Sequence, residues 1–180
     1  MSQVRLTIQP IDALIDVSRT IRITGLEPGQ AIRLHSKTLR GKAVPWQSTA
    51  DFIADSKGVV DLTQQAPVAG SYTGVEPMGL IWSQVPEIEG EREVFAESAL
   101  EPIETRIEAE IAGQVIRATL VQRLAAAGVQ RVEVREQGLV GTLYLPATPG
   151  PHPAVVILNG SGGGINEPRA ALYASHGYLA

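Results

Sequence analysis

The sequence predicts a mainly β protein: an antiparallel immunoglobulin-like β-sandwich followed by the start of an α/β domain. Three observations carry this prediction. Short segments with period-2 alternation of apolar and polar residues fill residues 4–123. An uninterrupted apolar run, AVVIL, follows at Ala154–Leu158. A glycine cluster and a segment with helix-capping residues come directly after that run, as in a parallel α/β sheet.

About seven alternating segments, separated by turn residues, make up the predicted sandwich. Arg19–Thr24, for example, places Ile21 and Ile23 on one face and Thr20 and Arg22 on the other. This alternation is typical of a strand with one buried face. The predicted strands are Val4–Ile8, Arg19–Thr24, Ala31–Lys37, Trp46–Ala54, Val59–Leu62, Glu104–Ala112 and Gln114–Arg123.

An apolar segment, Ala69–Gln84, interrupts these strands. Pro77 suits the first turn of a short helix. We interpret the segment as an apolar plug over one end of the sandwich or as a domain-contact surface, and the alternative is a surface that faces substrate. The apolar residues of this helix are Met78, Leu80, Ile81 and Trp82.

Composition excludes several classes of function. The net charge of −4 argues against a nucleic-acid partner, and the absence of Cys excludes a disulfide framework. No apolar run approaches the roughly 18 residues of a membrane helix, and the N-terminus lacks the pattern of a secretory signal. We therefore expect a cytoplasmic protein without a membrane partner.

The acidic stretch Glu87–Glu110 is expected to be a solvated face rather than a pair of catalytic carboxylates.

The pattern changes beyond Gly128, so we predict two domains, residues 1–127 and 128–180. Val129–Arg135 and Leu139–Leu145 are predicted strands. Pro146–Pro153 is predicted to be a stiff connector, because its four prolines fix φ and remove backbone donors. The all-apolar run Ala154–Leu158 predicts a central strand that is covered on both faces.

A helix is predicted over Pro168–His176, with Asn166 as its N-cap and Gly177 just past its end. Tyr178–Ala180 is predicted to begin the next strand. Three strands, a glycine-rich loop, a helix and a strand start are the order in which an α/β-hydrolase domain opens.

The glycine-rich loop Asn159–Gly164 (NGSGGG) is the candidate site. A phosphate-binding loop would need Gly-Lys-Ser/Thr, and a dinucleotide motif starting at Gly160 would need glycine where Ile165 stands. In α/β-hydrolases a loop of this kind supplies one N–H of the oxyanion hole. The backbone N–H of Ser161 or Gly162 is therefore the candidate donor. The alternative is a turn chosen only for its geometry.

Three stretches make the sequence recognisable, and they run over essentially the whole chain. These are GSYTGVEPMGLIWS (Gly70–Ser83), VREQGLVGTLYLPATPGPHPAVVILNGSGGG (Val134–Gly164) and INEPRAALYASHGYLA (Ile165–Ala180). The sequence resembles the acyl-CoA thioesterase and bile acid-CoA:amino acid N-acyltransferase family. This resemblance implies a sandwich domain that precedes an α/β-hydrolase domain acting on acyl-CoA thioesters.

The resemblance also implies that the nucleophile, a Ser or a Cys, and its acid and His partners lie beyond residue 180, so that this chain alone is inactive. CoA would be part of the substrate, and neither a metal nor a prosthetic group is required. Two alternatives stay open. The parent protein could transfer the acyl group to an amino acid, or the sandwich could be a non-catalytic interaction module.

The three histidines are expected to be structural or solvated. His176 ends the predicted helix, His152 lies between two prolines and His35 lies on the polar face of its strand.

The predicted strand Ala154–Leu158 would have an unpaired apolar edge, which invites pairing with another chain. We therefore expect residues from about 129 onward to be less protected than the sandwich, or ordered only through self-association.

Overall fold

The computed structural model describes residues 3–41, 43–88, 98–160 and 164–180. Its contacts divide the chain into two units. The first comprises Met1–Val94 and Ile103–Gln122, and the second comprises Phe95–Pro102 and Arg123–Ala180. The domain boundary after residue 127 stays a prediction, because a division by contacts does not establish where an independently folding domain ends.

The first unit is built of strands whose buried residues alternate with exposed ones. In the strand Thr20–Thr24, Ile21 and Ile23 are fully buried and Thr20 and Arg22 are exposed, as the sequence predicts. The elements of this unit are β1 (Arg5–Gln9), β2 (Asp12–Leu14), β3 (Thr20–Thr24), β4 (Ala31–Arg40), β5 (Val44–Ile53), β6 (Val59–Asp61), β7 (Ala69–Gly70), α1 (Gly79–Trp82), β8 (Val85–Pro86), β9 (Ile103–Ile111) and β10 (Gln114–Arg123).

These strands form two sheets that share one hydrophobic core. The smaller sheet has the order β1-β3-β6, and the larger has the order β2-β10-β9-β4-β5-β7, with β8 also paired to β5. Ile21 of the smaller sheet and Leu34, Phe52 and Ile107 of the larger belong to one buried cluster. The mainly β prediction is confirmed, and the two sheets are consistent with a sandwich.

Strand β4 extends three residues beyond its predicted end because polar residues continue its buried face. Ser36, Thr38 and Arg40 are all buried. The amide of Gln84 donates to the hydroxyl oxygens of Ser36 and Thr38 and accepts from Arg40. Buried polar groups are tolerated when they are hydrogen-bonded in this way.

The apolar segment around α1 packs into the sandwich core. Leu80 and Ile81 are buried in that cluster, and the hydroxyl of Ser48 on β5 donates to the carbonyl oxygen of Leu80 at 2.5 Å. The plug interpretation is therefore confirmed for these two residues. Trp82, in contrast, is 59% exposed, since it lies on the opposite side of this single helical turn.

The second unit begins with an antiparallel hairpin of β11 (Gln130–Glu136) and β12 (Leu139–Leu145). Its two-residue turn, Gln137-Gly138, has φ values of 52° and 81°. Positive φ at both positions is the geometry that joins tightly twisted strands, and glycine adopts it without strain.

The predicted helix is present as α2 (Glu167–Ser175). The side chain of Asn166 caps it by accepting from the N–H of Arg169 at 3.3 Å, and Gly177 follows with a φ of 88°. Both capping predictions are therefore confirmed. The face of α2 that packs beside the buried Tyr144 carries only small residues, which allows a close approach of helix and hairpin. These residues are Ala170, Ala171 and Ala174.

The prediction that Ala154–Leu158 is a strand covered on both faces is wrong. Ala154 makes only an isolated parallel bridge with Leu179, and Val156 and Leu158 are each 82% exposed. An all-apolar run indicates what a strand would bury, but burial requires layers on both faces. Within the described ranges no element covers this run on both sides.

The described helices also include none long and apolar enough to cross a bilayer.

Candidate active site

The predicted oxyanion donors, Ser161 and Gly162, lie outside the residues that the structure describes. Their role therefore stays a prediction. The described part of the glycine-rich loop consists of Asn159, Gly160 and Gly164.

Gly160 is not required by the packing of the described chain. No atom lies within 4 Å of the position that a Cβ would take there, and its φ is not positive. Gly164, by comparison, has a φ of 83°, a conformation that favours glycine. Among the described glycines of the loop, only Gly164 therefore has a conformation that requires glycine.

Strand β12 and the segment that leads into this loop, residues 153–155, are both hydrogen-bonded to the C-terminal residues. The N–H of Val155 donates to the carbonyl oxygen of Leu179, and the N–H of Leu179 donates to that of Pro153, each at 2.8 Å. Ala180 exchanges both backbone hydrogen bonds with Tyr144 of β12, at 2.7 and 3.1 Å. The lateral order is therefore β11, β12, residues 179–180, residues 154–155. Leu179 and Ala180 pair with neighbouring backbone as a strand start would, but only as an isolated bridge and one bonded pair, so the prediction that Tyr178–Ala180 begins the next strand stays a prediction.

The first turn of α2, which follows the loop, is fixed to the β11–β12 hairpin by a cluster of three polar side chains. Glu167, in the first turn of α2, accepts from Nε and Nη2 of Arg131 at 2.7 and 2.8 Å. It also accepts from the hydroxyl of Tyr144 at 2.5 Å. Arg131 and Tyr144 are direct cross-strand partners in the β11–β12 hairpin, so both donors come from one rung of the ladder. We call Arg131, Tyr144 and Glu167 the hairpin clamp.

The electrostatics of the hairpin clamp keep its carboxylate ionised. Hydrogen bonds from Arg131, followed by that from Tyr144, lower the pKa of Glu167. Burial, reinforced by the hydrogen bond to the charged Glu167, raises the pKa of the Tyr144 phenol. At neutral pH Glu167 is therefore ionised. It accepts hydrogen bonds and carries no proton for acid catalysis.

An apolar groove of about 590 Å³ adjoins the loop within the second unit. Val140, Val156 and Leu158 are its most exposed apolar residues, at 73%, 82% and 82%. These three side chains leave apolar surface open to solvent beside the loop. Other apolar residues that line it are Val134, Leu139, Leu143, Ile157 and Ile165.

The histidines do not form a catalytic set with a serine and an acid among the described residues. His152 Nε2 lies 2.8 Å from the carbonyl oxygen of Thr148, and His35 Nε2 lies 3.7 Å from Glu110. His176 is the C-cap of α2, as predicted, and its N–H donates to the carbonyl oxygen of Tyr173. Within the same residues, no group of three or more His, Cys, Asp or Glu is arranged to hold a metal.

The acidic residues of β9 form a solvated face, as predicted for the described part of Glu87–Glu110. Glu108 accepts from its cross-strand partner Arg117 at 2.8 Å and lies 3.1 Å from Arg106. Both arginines are more than half exposed. Residues 89–97 of this stretch lie outside the described residues.

Sequence reasoning missed the hairpin clamp. Arg131 and Glu167 are 36 residues apart, and neither stands in a motif whose spacing predicts contact. Two signals were available. Glu167 follows the N-cap Asn166, where a carboxylate suits the helix dipole, and Tyr144 is the one aromatic residue of β12.

Comparison with known proteins agrees with the resemblance drawn from the sequence. The family described as "Acyl-CoA thioester hydrolase/BAAT N-terminal region" matches residues 16–136. Mouse bile acid-CoA:amino acid N-acyltransferase is 35% identical over 184 residues, which cover 97% of this chain and 44% of that protein. Rat acyl-coenzyme A thioesterase 1 is 35% identical over 173 residues, covering 91% of this chain and 40% of that protein.

Among solved structures, macromomycin covers 66% of this chain and 97% of its own, at 15% identity and a TM-score of 0.35, a likeness too weak to bear on fold or function. The chain spans less than half the length of the curated relatives it matches. The family match extends over most of the chain, and the relatives share about a third of its residues across nearly its whole length. The chain therefore belongs to the acyl-CoA thioesterase and bile acid-CoA:amino acid N-acyltransferase family.

Proposed function

We propose that residues 1–180 are the N-terminal part of an acyl-CoA thioester hydrolase that acts on fatty acyl-CoA. The observation that carries this proposal is the match to several acyl-coenzyme A thioesterases at 34–36% identity over 91% of the chain. We place the nucleophile beyond residue 180, and the chain by itself is expected to be inactive.

The strand order of the second unit supports the start of an α/β-hydrolase domain. Residues 179–180 lie between β12 and residues 154–155, antiparallel to Tyr144 and parallel at the bridge to Ala154. A loop and a helix connect the two parallel segments, which is the arrangement of a crossover connection in an α/β sheet. Ligands in such sheets bind at the carboxyl ends of the strands, and the glycine-rich loop comes shortly after residues 154–155, which pair in parallel with Leu179.

The proposed reaction is acyl transfer to water. The nucleophile attacks the thioester carbonyl, and the carbonyl oxygen becomes a tetrahedral oxyanion. Its collapse breaks the C–S bond, releases CoA thiolate and leaves an acyl-enzyme, which water hydrolyses. The backbone N–H of Ser161 or Gly162 is the proposed donor to the oxyanion. One such preorganised donor is worth about 3–4 kcal/mol. No metal or prosthetic group takes part in these steps.

Transfer of the acyl group to an amino acid is the second candidate. The observation in its favour is that mouse and human bile acid-CoA:amino acid N-acyltransferases match 97% of this chain.

A cytoplasmic location stays a prediction, because the names of other relatives include mitochondrial and peroxisomal enzymes.

An assay of the whole protein with palmitoyl-CoA, with and without glycine, distinguishes these functions. Release of CoA with free palmitate in both cases supports the hydrolase. Formation of palmitoyl-glycine supports the acyltransferase. If neither product forms while palmitoyl-CoA stays intact, the proposed activity on fatty acyl-CoA is wrong. The chain of residues 1–180 should release no CoA, and steady release that is abolished by a substitution within it would contradict the proposed site.

A further inference from the structure

Strand β11 has one edge that pairs with no other strand in the part of the chain that the structure describes. Its other edge pairs with β12, where Arg131 lies opposite Tyr144. Tyr144 exchanges both of its backbone hydrogen bonds with Ala180, so its N–H and C=O point away from β11. Opposite residues of an antiparallel pair either bond each other or both point away from each other. The N–H and C=O of Arg131 therefore point to the free edge.

Glu133 and Arg135 continue this free edge. Alternate residues of a strand direct their backbone groups to the same edge, so these two residues follow Arg131, whereas Val132 and Val134 bond to β12. A row of unpaired N–H and C=O groups is a template for a further strand. The side chains of the three outward-bonding residues also share one face of the hairpin, because the side-chain period of a strand is two.

The charges along this edge alternate in sign. Glu133 is 60% exposed and lies 3.8 Å from Arg135, which is 72% exposed. Its distance to Arg131 is 3.5 Å, whereas the short bonds of Arg131 go to Glu167. Glu133 therefore has no charge-assisted hydrogen bond of the usual length, about 2.7–2.9 Å. An edge of a single sign would repel a second copy in every register, but an edge of alternating sign is complementary to a shifted copy of itself.

We propose that β11 pairs antiparallel with β11 of a second copy of this chain, about a two-fold axis at Val134. This register sets Glu133 opposite Arg135 of the second copy, and the symmetry forms the same pair twice. Both residues direct their backbone groups to the free edge, so each pair also exchanges two backbone hydrogen bonds. On the other face the half-buried Val134 meets its own counterpart.

The two neighbouring registers are less favourable. An axis at Glu133 would set Glu133 opposite itself and Arg131 opposite Arg135, and like charges directly opposite each other are destabilising. An axis at Val132 would rely on Arg131, whose guanidinium already binds Glu167. The partner is a second copy, because the charge pattern of this edge complements itself. This inference does not rest on the proposed function, and its test requires no activity.

Sedimentation equilibrium of the 180-residue chain, from about 10 µM to about 1 mM, measures the association, which is expected to be weak because one strand edge buries little surface. Wild type should dimerise, and added salt should weaken the dimer. Glu133→Arg and Arg135→Glu each set like charges opposite each other at both pairs and should weaken dimerisation at least about 10-fold. The double variant Glu133→Arg/Arg135→Glu restores opposite signs and should return dimerisation to within about 3-fold of wild type.

Two control variants separate this edge from other causes of association. Glu27→Arg makes the same change of net charge at an exposed turn of the first unit. Val156→Thr reduces the exposed apolar surface of residues 154–158, where Val156 is 82% exposed. Both should dimerise like wild type. If Val156→Thr abolishes the dimer, the apolar run is the contact and the proposal is wrong. It is also wrong if the double variant is no better than the single variants, or if wild type stays monomeric, in which case the charges only protect the edge.

Amide exchange at low and high protein concentration locates the contact. The N–H groups of Glu133 and Arg135 should become protected as the dimer forms. Those of Val132 and Val134 should change little, because they already bond to β12. Dimerisation without new protection at Glu133 and Arg135 would place the interface elsewhere and overturn the proposal.

Discussion

The guanidinium of Arg131 binds both carboxylate oxygens of Glu167, at 2.7 and 2.8 Å, and so connects the first strand of the β11–β12 hairpin to the first turn of α2. A pair of this geometry restricts rotation between the two elements. The stability that this pair contributes depends on the charge of Glu167, so it can be tested by changing the pH.

We expect the stability difference between wild type and Glu167→Gln to disappear in acid. The folded-state pKa of Glu167 is lowered by Arg131 and Tyr144, so the stability it contributes is present above the unfolded-state pKa of about 4.5. That stability is lost as pH falls below this value through the folded-state pKa. Tryptophan fluorescence does not measure this stability, because Trp46 and Trp82 both belong to the first unit. Amide exchange of β12 measures the stability of the second unit instead. A difference that is constant from pH 7 to pH 2 would contradict the ion pair.

Gly79→Ala should destabilise the first unit by about 1–3 kcal/mol, the usual cost of overpacking. A Cβ at Gly79 would lie 2.3 Å from the ring of Tyr72, which is itself 5% exposed. Urea unfolding followed by Trp fluorescence measures the change. Tyr72→Phe keeps the ring and should leave the cost of Gly79→Ala unchanged, whereas Tyr72→Leu should reduce it. Equal cost in all three backgrounds would show that the ring is not the obstacle.

Residues 154–158 should exchange faster than the sandwich core in the isolated chain. Among the described residues, Val155 is the one member of this run whose N–H donates a backbone hydrogen bond, whereas Ile21 and Ile23 are fully buried within paired strands. Hydrogen exchange on a chain shown to be monomeric measures this. Equally slow exchange in Ile21–Ile23 and Val155–Leu158 would mean that the C-terminal segment is part of a complete fold, against the hydrolase-fragment hypothesis.

The sequence predicts elements well where one local signal determines them. Ile21 and Ile23 alternate with polar residues, and Asn166 and Gly177 bracket α2, so these elements are found at nearly the predicted bounds. Strand β4 was predicted too short because Thr38 and Arg40 are inward-facing polar residues. Their partner, Gln84, is more than 40 residues away, so no local pattern could indicate their burial.

The candidate site is predicted only in part for the same physical reason. The glycine-rich loop has a local composition that indicates close backbone approach, and it was found from the sequence. The hairpin clamp depends on the pairing register that sets Arg131 opposite Tyr144 and on the helix that returns Glu167 to them. Burial of Val156 and Leu158 was overpredicted because composition does not supply the covering layers.

The proposal that a backbone N–H of the glycine-rich loop serves the oxyanion is tested most directly by comparing Ser161→Pro with Ser161→Ala in the whole protein. Proline removes the N–H, and alanine removes only the hydroxyl. With palmitoyl-CoA, Ser161→Pro should lower kcat about 10²–10³-fold, the cost of losing one oxyanion donor, and Ser161→Ala should retain most of the wild-type kcat. Thermal unfolding of both variants controls for misfolding. If Ser161→Ala is as damaging as Ser161→Pro while both stay folded, the hydroxyl is the working group and the backbone assignment is wrong.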